Sequence, residues 1–322
     1  MAATTKFDLK MGAATREAFG KALVELGRKN KDVVVCDADL SKSTMVHWFA
    51  KEFPERFVSC GIAEANMVAI GAGLASGGKI PFVASFSVFV LNKGFEQLRV
   101  TAAYPPGINL KVVGTHSGIS IGEDGPSQMS IEDLALATAL PGFTVISPCD
   151  EVSMTAFVHL AAEHFGPVFL RAGRPKVPVV YNAGQKFEIG KAIELVQGKD
   201  VTLIAHGLMV AESIRAAEIL DGEGISARVV DMPTIKPLDL EAIRDAATRT
   251  GAIVVSEEHL VDGGLGVKVA QAVGRMHPCV MEFVGIENTY AESGTPAQLL
   301  EKYGLTAANI ASAARRALKR KG

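Results

Sequence analysis

Nine short apolar runs, rich in β-branched residues, recur along the chain with helical stretches between them. In the first half they are "DVVVCDA", "KIPFVASF", "NLKVVGTH", "FTVISP" and "PVFLRAG"; in the second, "VTLIAHG", "ARVVDM", "AIVVSEEH" and "CVMEFVG". Runs this continuous lack the in-out alternation of a half-exposed strand, so each is buried on both faces, as in a parallel sheet covered by helices. The chain is therefore predicted to be α/β, built as two doubly wound domains with mainly parallel sheets. The rhythm breaks at "GRPKVPVVYNAGQKFEIGKA", where prolines, glycines and lysines intervene, and this predicts domains at 1–185 and 186–322. A length of 322 residues agrees with two cores.

The balance of charge excludes several classes of partner. A formal net charge of -2 creates no field that would draw in nucleic acid or an anionic membrane. No uncharged apolar stretch reaches the roughly 20 residues of a spanning helix, and "MAATTKFDLK" has the pattern of neither a signal nor a transit peptide, so the cytoplasm is the expected location. Cys36, Cys60, Cys149 and Cys279 are far apart and form no CxxC, which reads as buried reduced thiols rather than a disulfide or zinc framework. The basic end, "RRALKRKG", reads as a solvated helix terminus.

Open α/β sheets bind ligands beyond the carboxyl ends of their strands. The first half places polar groups there repeatedly: Asp37, Asp39, Ser41 and Ser43 after one strand, Ser85 and Ser87 at another, and "THSGISIGEDGPSQ" after a third. That last loop carries His116, Glu123, Asp124 and Gln128 on a glycine-rich backbone, more polar than a simple connector needs. Glu64 heads "AEANMVAIGAGLASGG", a helix with apolar residues on every side, which predicts burial all round. An acid in such a place either interacts with the helix dipole or shares a proton with a ligand.

These residues resemble the C-terminal half of transketolase, the thiamine-diphosphate enzyme of sugar-phosphate metabolism. "CGIAEANM" is similar to the family's "GIAEQNM" block, "SFSVFVLNKGFEQLR" to "TFAMFATRAFEQIR", and "THSGISIGEDGPSQ" to "THAGLTVGEDGPTHQ"; "EEHLVDGGLG" and "SGTPAQLLEKYGL" resemble the family's C-terminal domain. The resemblance implies a pyrimidine-binding domain for 1–185 and a transketolase C-terminal-like domain for 186–322. It implies that Glu64 contacts N1′ of the aminopyrimidine, with Ile62 as the wedge that keeps the cofactor bent and Phe89 stacked on the ring; Phe86 and Asp39 fall on the same cofactor side. Without the resemblance, Phe86 and Phe89 read as inward-packed strand aromatics.

The resemblance further implies a substrate set of Arg16, Ser43, His116 and Arg174 for phosphate, with Arg171 as the alternative to Arg174, and Asp124 for a sugar hydroxyl. Two arginines, a hydroxyl and an imidazole suit a dianion. The catalytic residues it implies are Glu64, His116 and Gln128. At Gln128 the chain departs from the family, reading "PSQM" where "PTHQ" is usual, so a group that titrates near neutrality is replaced by one that cannot.

The family's "GDG" followed by an Asn, which anchors diphosphate through Mg²⁺, does not occur in this sequence; "GEDG" at 122–125 belongs to the substrate loop and "DGG" at 262–264 leads into a helix. The implied function is that of the small subunit of a split transketolase, transferring a two-carbon ketol unit from a ketose phosphate to an aldose. A separate N-terminal-type subunit would supply the Mg²⁺ and diphosphate site in an α2β2 assembly, within which copies of this chain self-associate. Alternatives are a deoxyxylulose-phosphate-synthase-like enzyme, the β-type subunit of a 2-oxo acid decarboxylase, and a non-catalytic regulatory subunit.

Overall fold

The computed structural model describes residues 7–322. All nine apolar runs form strands, which assemble into two large sheets. The first sheet has seven strands in the spatial order Thr234–Lys236, Thr144–Ile146, Val168–Arg171, Lys111–Thr115, Ile80–Phe86, Val33–Asp37 and Phe57–Ser59. Six of these are parallel; Thr234–Lys236, from the second half of the chain, adds an antiparallel edge. The second sheet runs Val280–Ile286, Ala252–Leu260, Val201–Ala205, Ala227–Asp231 and Ile193–Val196, parallel except for the last strand. The fold is α/β with one mainly parallel and one mixed sheet.

Burial explains why continuous apolar runs became central strands. Val33–Asp37, Lys111–Thr115, Val201–Ala205 and Ala227–Asp231 are buried at every position, because helices cover both faces. The strands without a long apolar run, such as Ile193–Val196 and Thr234–Lys236, lie at sheet edges, where one side of the ladder needs no partner. Helix Thr15–Lys29 buries Phe19, Leu23 and Leu26 and packs on helix Glu151–Glu163. Each such fully buried Phe or Leu contributes roughly 1.5–3 kcal/mol.

The stretch where the strand rhythm breaks is not devoid of strand. Lys176–Pro178 pairs antiparallel with Met11–Ala14. This small sheet holds the start of helix Thr15–Lys29 against the chain leaving the first sheet: Gly173 N donates to Thr15 Oγ1 at 2.7 Å, and Arg16 N donates to Gly173 O at 3.4 Å. Arg16 and Arg174, 158 residues apart in sequence, thereby become neighbours.

Helix Glu64–Ser76 differs from its expectation of burial all round. Glu64, Met67, Val68, Gly71, Ala72 and Ala75 are buried, but Asn66, Ala69, Gly73 and Ser76 form an exposed side, and Ile62 just before it is 78% exposed. Two of the four exposed positions, Asn66 and Ser76, are polar, and this chain by itself covers only one side. The four cysteines are free, with Cys36 and Cys149 buried and Cys60 and Cys279 half-buried. Among the described residues no helix is long and apolar enough to cross a membrane.

Candidate active site

Strand register brings the polar strand ends to one edge of the first sheet. Phe86 lies opposite Thr115, Asp37 opposite Ala84, and Gly114 opposite Arg171. The segments that follow, which carry Asp39, Ser43, Phe89, His116 and Arg174, therefore start from the same rim. Asp37 organises the first of them: its buried carboxylate accepts from Leu40 N at 3.1 Å, while burial, against the pull of the surrounding amides, pushes its pKa up to about 6. Asp39 sits in the left-handed region at φ 64 and is exposed.

A hydrogen-bonded chain runs along this rim. The Glu64 carboxylate, 2% exposed at the first turn of its helix, accepts from Ser85 Oγ at 3.1 Å. Thr115 Oγ1 donates to Ser85 O at 3.4 Å and lies 2.8 Å from His116 Nδ1. The other ring nitrogen, Nε2, is 3.0 Å from Arg16 Nη1, which also donates to Ser43 O at 2.9 Å. Arginine can only donate, so Nε2 accepts, and the proton is on Nδ1, facing Thr115. His116 is thus neutral, and burial, reinforced by Arg16 and Arg174, lowers its pKa to about 3.

Aromatic rings line the same place. The Phe86 ring stacks on His116 at 3.8 Å and lies nearly parallel to Phe89 at 5.5 Å, with an interplanar angle of 11°. Phe86 is buried and Phe89 is half-buried. Phe89 is not the strand aromatic expected from the residues alone: it lies in helix Ser87–Gln97, one turn beyond the strand end. His116 itself adopts φ 57, a left-handed conformation that histidine tolerates better than most residues and that turns its ring onto Phe86.

The two arginines weighed at the sequence level have different environments. Arg171 is 5% exposed and donates to Asp133 at 2.7 Å, so its charge is already paired inside the protein. Arg174 is one-third exposed, bonds Ile121 O and Glu123 at the loop, and is close enough to Arg16 and His116 to add to the lowering of both pKa values that burial begins. Arg16 Nε is buried without a partner. Asp124 is exposed and near enough to Arg16 to act on its charge. Gln128 is half-buried and accepts from Ser127 Oγ at 2.5 Å. Ile62, Asp39 and Gln128 are not members of the hydrogen-bonded chain.

Thr115 and the bond from Ser85 to Glu64 were missed by sequence reasoning. Their signal was a hydroxyl at the last residues of adjacent parallel strands, which becomes meaningful only once register is known. Among the described residues there is no group of three or more His, Cys, Asp or Glu placed to hold a metal ion.

This is the rim of a doubly wound α/β domain that carries a buried acid, an aromatic shelf and a cationic cluster. The profile of the transketolase pyrimidine binding domain matches residues 11–179, and that of the transketolase C-terminal domain matches residues 190–310. The chain is 43% identical over 300 residues to a transketolase C-terminal section of Methanocaldococcus jannaschii, covering 92% of this chain and 93% of that one. It is 39% identical to the 6-deoxy-6-sulfo-D-fructose transketolase subunit SqwH of Clostridium sp. (strain MSTE9), covering 95% of each. Among solved structures, a split gene transketolase described as an inactive beta4 tetramer superposes with a TM-score of 0.90 at 48% identity, over 97% of this chain and all of that one. The protein belongs to the transketolase family. It spans about half the length (48%) of the animal transketolases it matches.

Proposed function

We propose that this chain is the small subunit of a split transketolase, which transfers a two-carbon ketol unit from a ketose phosphate to an aldose in partnership with a separate chain. In this reading residues 1–185 form the pyrimidine-binding domain and residues 186–322 the C-terminal-like domain. The observation that carries it is the bonded chain from Glu64 through Ser85, Thr115 and His116 to Arg16, which joins a buried acid to a cluster of cations along one rim. The near-full-length match to a transketolase section and to a transketolase subunit supports the split, as does the description of a similar β-only assembly as inactive.

The residues fit thiamine diphosphate. Glu64 offers a shielded carboxylate to hold a proton at N1′ of the aminopyrimidine, and Phe86 and Phe89 offer a flat apolar shelf for its ring. The cofactor supplies the carbanion chemistry when bound. Ile62 and Asp39 are assigned to the same cofactor, and Mg²⁺ with the diphosphate to the partner. The protruding Ile62, with the small residues Ala69 and Gly73 on the exposed side of helix Glu64–Ser76, is the face offered to another chain, since an exposed apolar side chain of this size is stabilised by covering it.

Arg16, Arg174 and Ser43 bind the substrate phosphate, and His116, which presents an acceptor at Nε2, stands beside them for a sugar hydroxyl. Arg16 and Arg174 are like charges held together, and a dianion would relieve their repulsion while satisfying the unpartnered Arg16 Nε. Once Arg16 turns to the phosphate, His116 Nε2 is free for the sugar. Asp124 accepts from a sugar hydroxyl, and Gln128 supplies an uncharged hydrogen bond where the family usually has histidine.

The test is reconstitution. The isolated chain should bind thiamine diphosphate feebly and show no ketol transfer, and adding the large subunit should restore both. Calorimetry showing tight, Mg²⁺-dependent binding to this chain alone would overturn the split-site reading.

A further inference from the structure

The end of strand Ala252–Leu260 carries three consecutive ionisable side chains, Glu257, Glu258 and His259, none more than 3% exposed. Side chains alternate along a strand, so Glu258 takes the face opposite to Glu257 and His259. Glu257 turns to its own domain, where its carboxylate accepts from Leu265 N at 2.7 Å and Gly266 N at 2.8 Å and caps helix Leu265–Met276. Glu258 points across the seam into the loop that carries Asp124 and Gln128. Its Oε1 accepts from Ser120 N at 2.6 Å, and its carboxyl lies so close to Gly118 that a Cβ there would meet Glu258 Cδ at 2.1 Å. Only glycine allows that approach, and Gly118 also needs it for φ +78.

The rest of the loop base is held around the same point. Gly118 N donates to Ser130 O at 2.7 Å, closing the loop, and Arg171 Nη2 donates to Ser130 O at 3.4 Å and Glu258 O at 2.9 Å. His259 Nε2 accepts from Leu134 N at 3.2 Å where the loop ends. Burial pushes the Glu258 pKa up to about 7 against the pull of Arg171 and the Ser120 amide, so a buried acid is retained here although an apolar residue would avoid its desolvation. At the far side of the loop, Arg174 bonds Ile121 O and Glu123, one residue beyond the amide that Glu258 holds.

We propose that Glu258, from the second domain, is a positioning residue: its carboxylate fixes the Gly118–Ser120 turn and thereby sets the place of Arg174 and Asp124 in the substrate cluster. The second domain then acts on the site of the first without touching substrate. The catalytic consequence rests on the ketol-transfer reading above; the loop grip does not.

Glu258→Gln preserves volume but can offer its single acceptor oxygen to only one of the Ile119 and Ser120 amides and sets an N–H donor against the other. Hydrogen exchange of the 119–121 backbone, measured on the full chain, should quicken on the order of tenfold, the size of one lost net hydrogen bond. In the reconstituted complex, KM for the ketose phosphate should rise about as much with kcat within about threefold. Glu258→Asp, which keeps the charge but ends one carbon short, should fall between, and serves in its place if the glutamine variant does not fold. Glu257→Gln is equally buried but holds no loop amide, so it should lower stability and leave loop exchange unchanged. Loop exchange within twofold of wild type in the Glu258 variants, or an equal rise in Glu257→Gln, overturns the proposal. If exchange responds as expected while the wild-type complex transfers no ketol unit, the grip stands and the proposed function fails.

Discussion

The two polar regions of this molecule, the sheet rim and the domain seam, contain the same kinds of residue in opposite states. At the seam the charges neutralise one another within the chain: Arg171 pairs with Asp133, and Glu257 and Glu258 accept backbone amides. At the rim, Arg16 and Arg174 are held near each other and near a neutral His116, and Arg16 Nε is buried without a partner. Paired charges rigidify structure, although Ser120 Oγ and Ser130 Oγ at the seam are also buried without partners, whereas two like charges held together at the rim are complementary to an anion absent from the chain. An arginine pair three residues apart, Arg171 and Arg174, falls on opposite sides of this divide.

The contrast can be broken most severely at Glu64. Glu64→Gln keeps shape and the bond from Ser85 but cannot exchange a proton with a ligand nitrogen. Turnover of the reconstituted complex should fall by about 10² to 10⁴ with the thermal unfolding midpoint little changed. Turnover near that of wild type would remove Glu64 from the catalytic role.

The arginine pair offers the next test. Arg171→Met leaves Asp133 buried without its cation and should cost about 3–5 kcal/mol in denaturant unfolding, because an uncompensated buried charge is expensive. Arg174→Met should cost under about 1 kcal/mol, since its ion pair with Glu123 is largely solvated, yet it should weaken binding of the phosphorylated substrate. Similar stability losses in the two variants would erase the distinction between seam and rim.

The smallest effect concerns pH. His116 is held at about 3 in the folded chain against an ordinary value of 6.5, so the unfolded chain takes up a proton that the folded one refuses. Its contribution to stability is complete above pH 6.5 and is lost as pH falls below it, by about 1–2 kcal/mol between pH 6.5 and 5. His116→Asn, which tolerates the left-handed backbone, should flatten the stability curve by that amount across this interval. An unchanged slope would show that His116 titrates normally.

Much of the fold was legible because its cause is local. Nine apolar runs became nine strands. The strands that escaped notice, Met11–Ala14, Phe57–Ser59, Lys176–Pro178, Ile193–Val196 and Thr234–Lys236, are three to four residues long. They exist because a neighbouring strand offers hydrogen bonds, and nothing in so short a stretch announces that. Helix Glu64–Ser76 misled for a related reason: composition sets the appetite for burial but not what covers each side.

The sequence by itself determined the class of fold and the family, because hydrophobic period and the ordered blocks "CGIAEANM" and "THSGISIGEDGPSQ" are carried by neighbours along the chain. It also placed polar residues after strands, where α/β sheets bind ligands. Only the tertiary structure decided which of them meet. Parallel register set Thr115 opposite Phe86 and within reach of the Ser85 carbonyl, the small Met11–Ala14 sheet brought Arg16 to Arg174, and the folding of one domain onto the other put Glu258 beneath a loop 138 residues away. Hydrogen bonds and ion pairs act over a few ångströms of space, and separation along the chain does not report that distance.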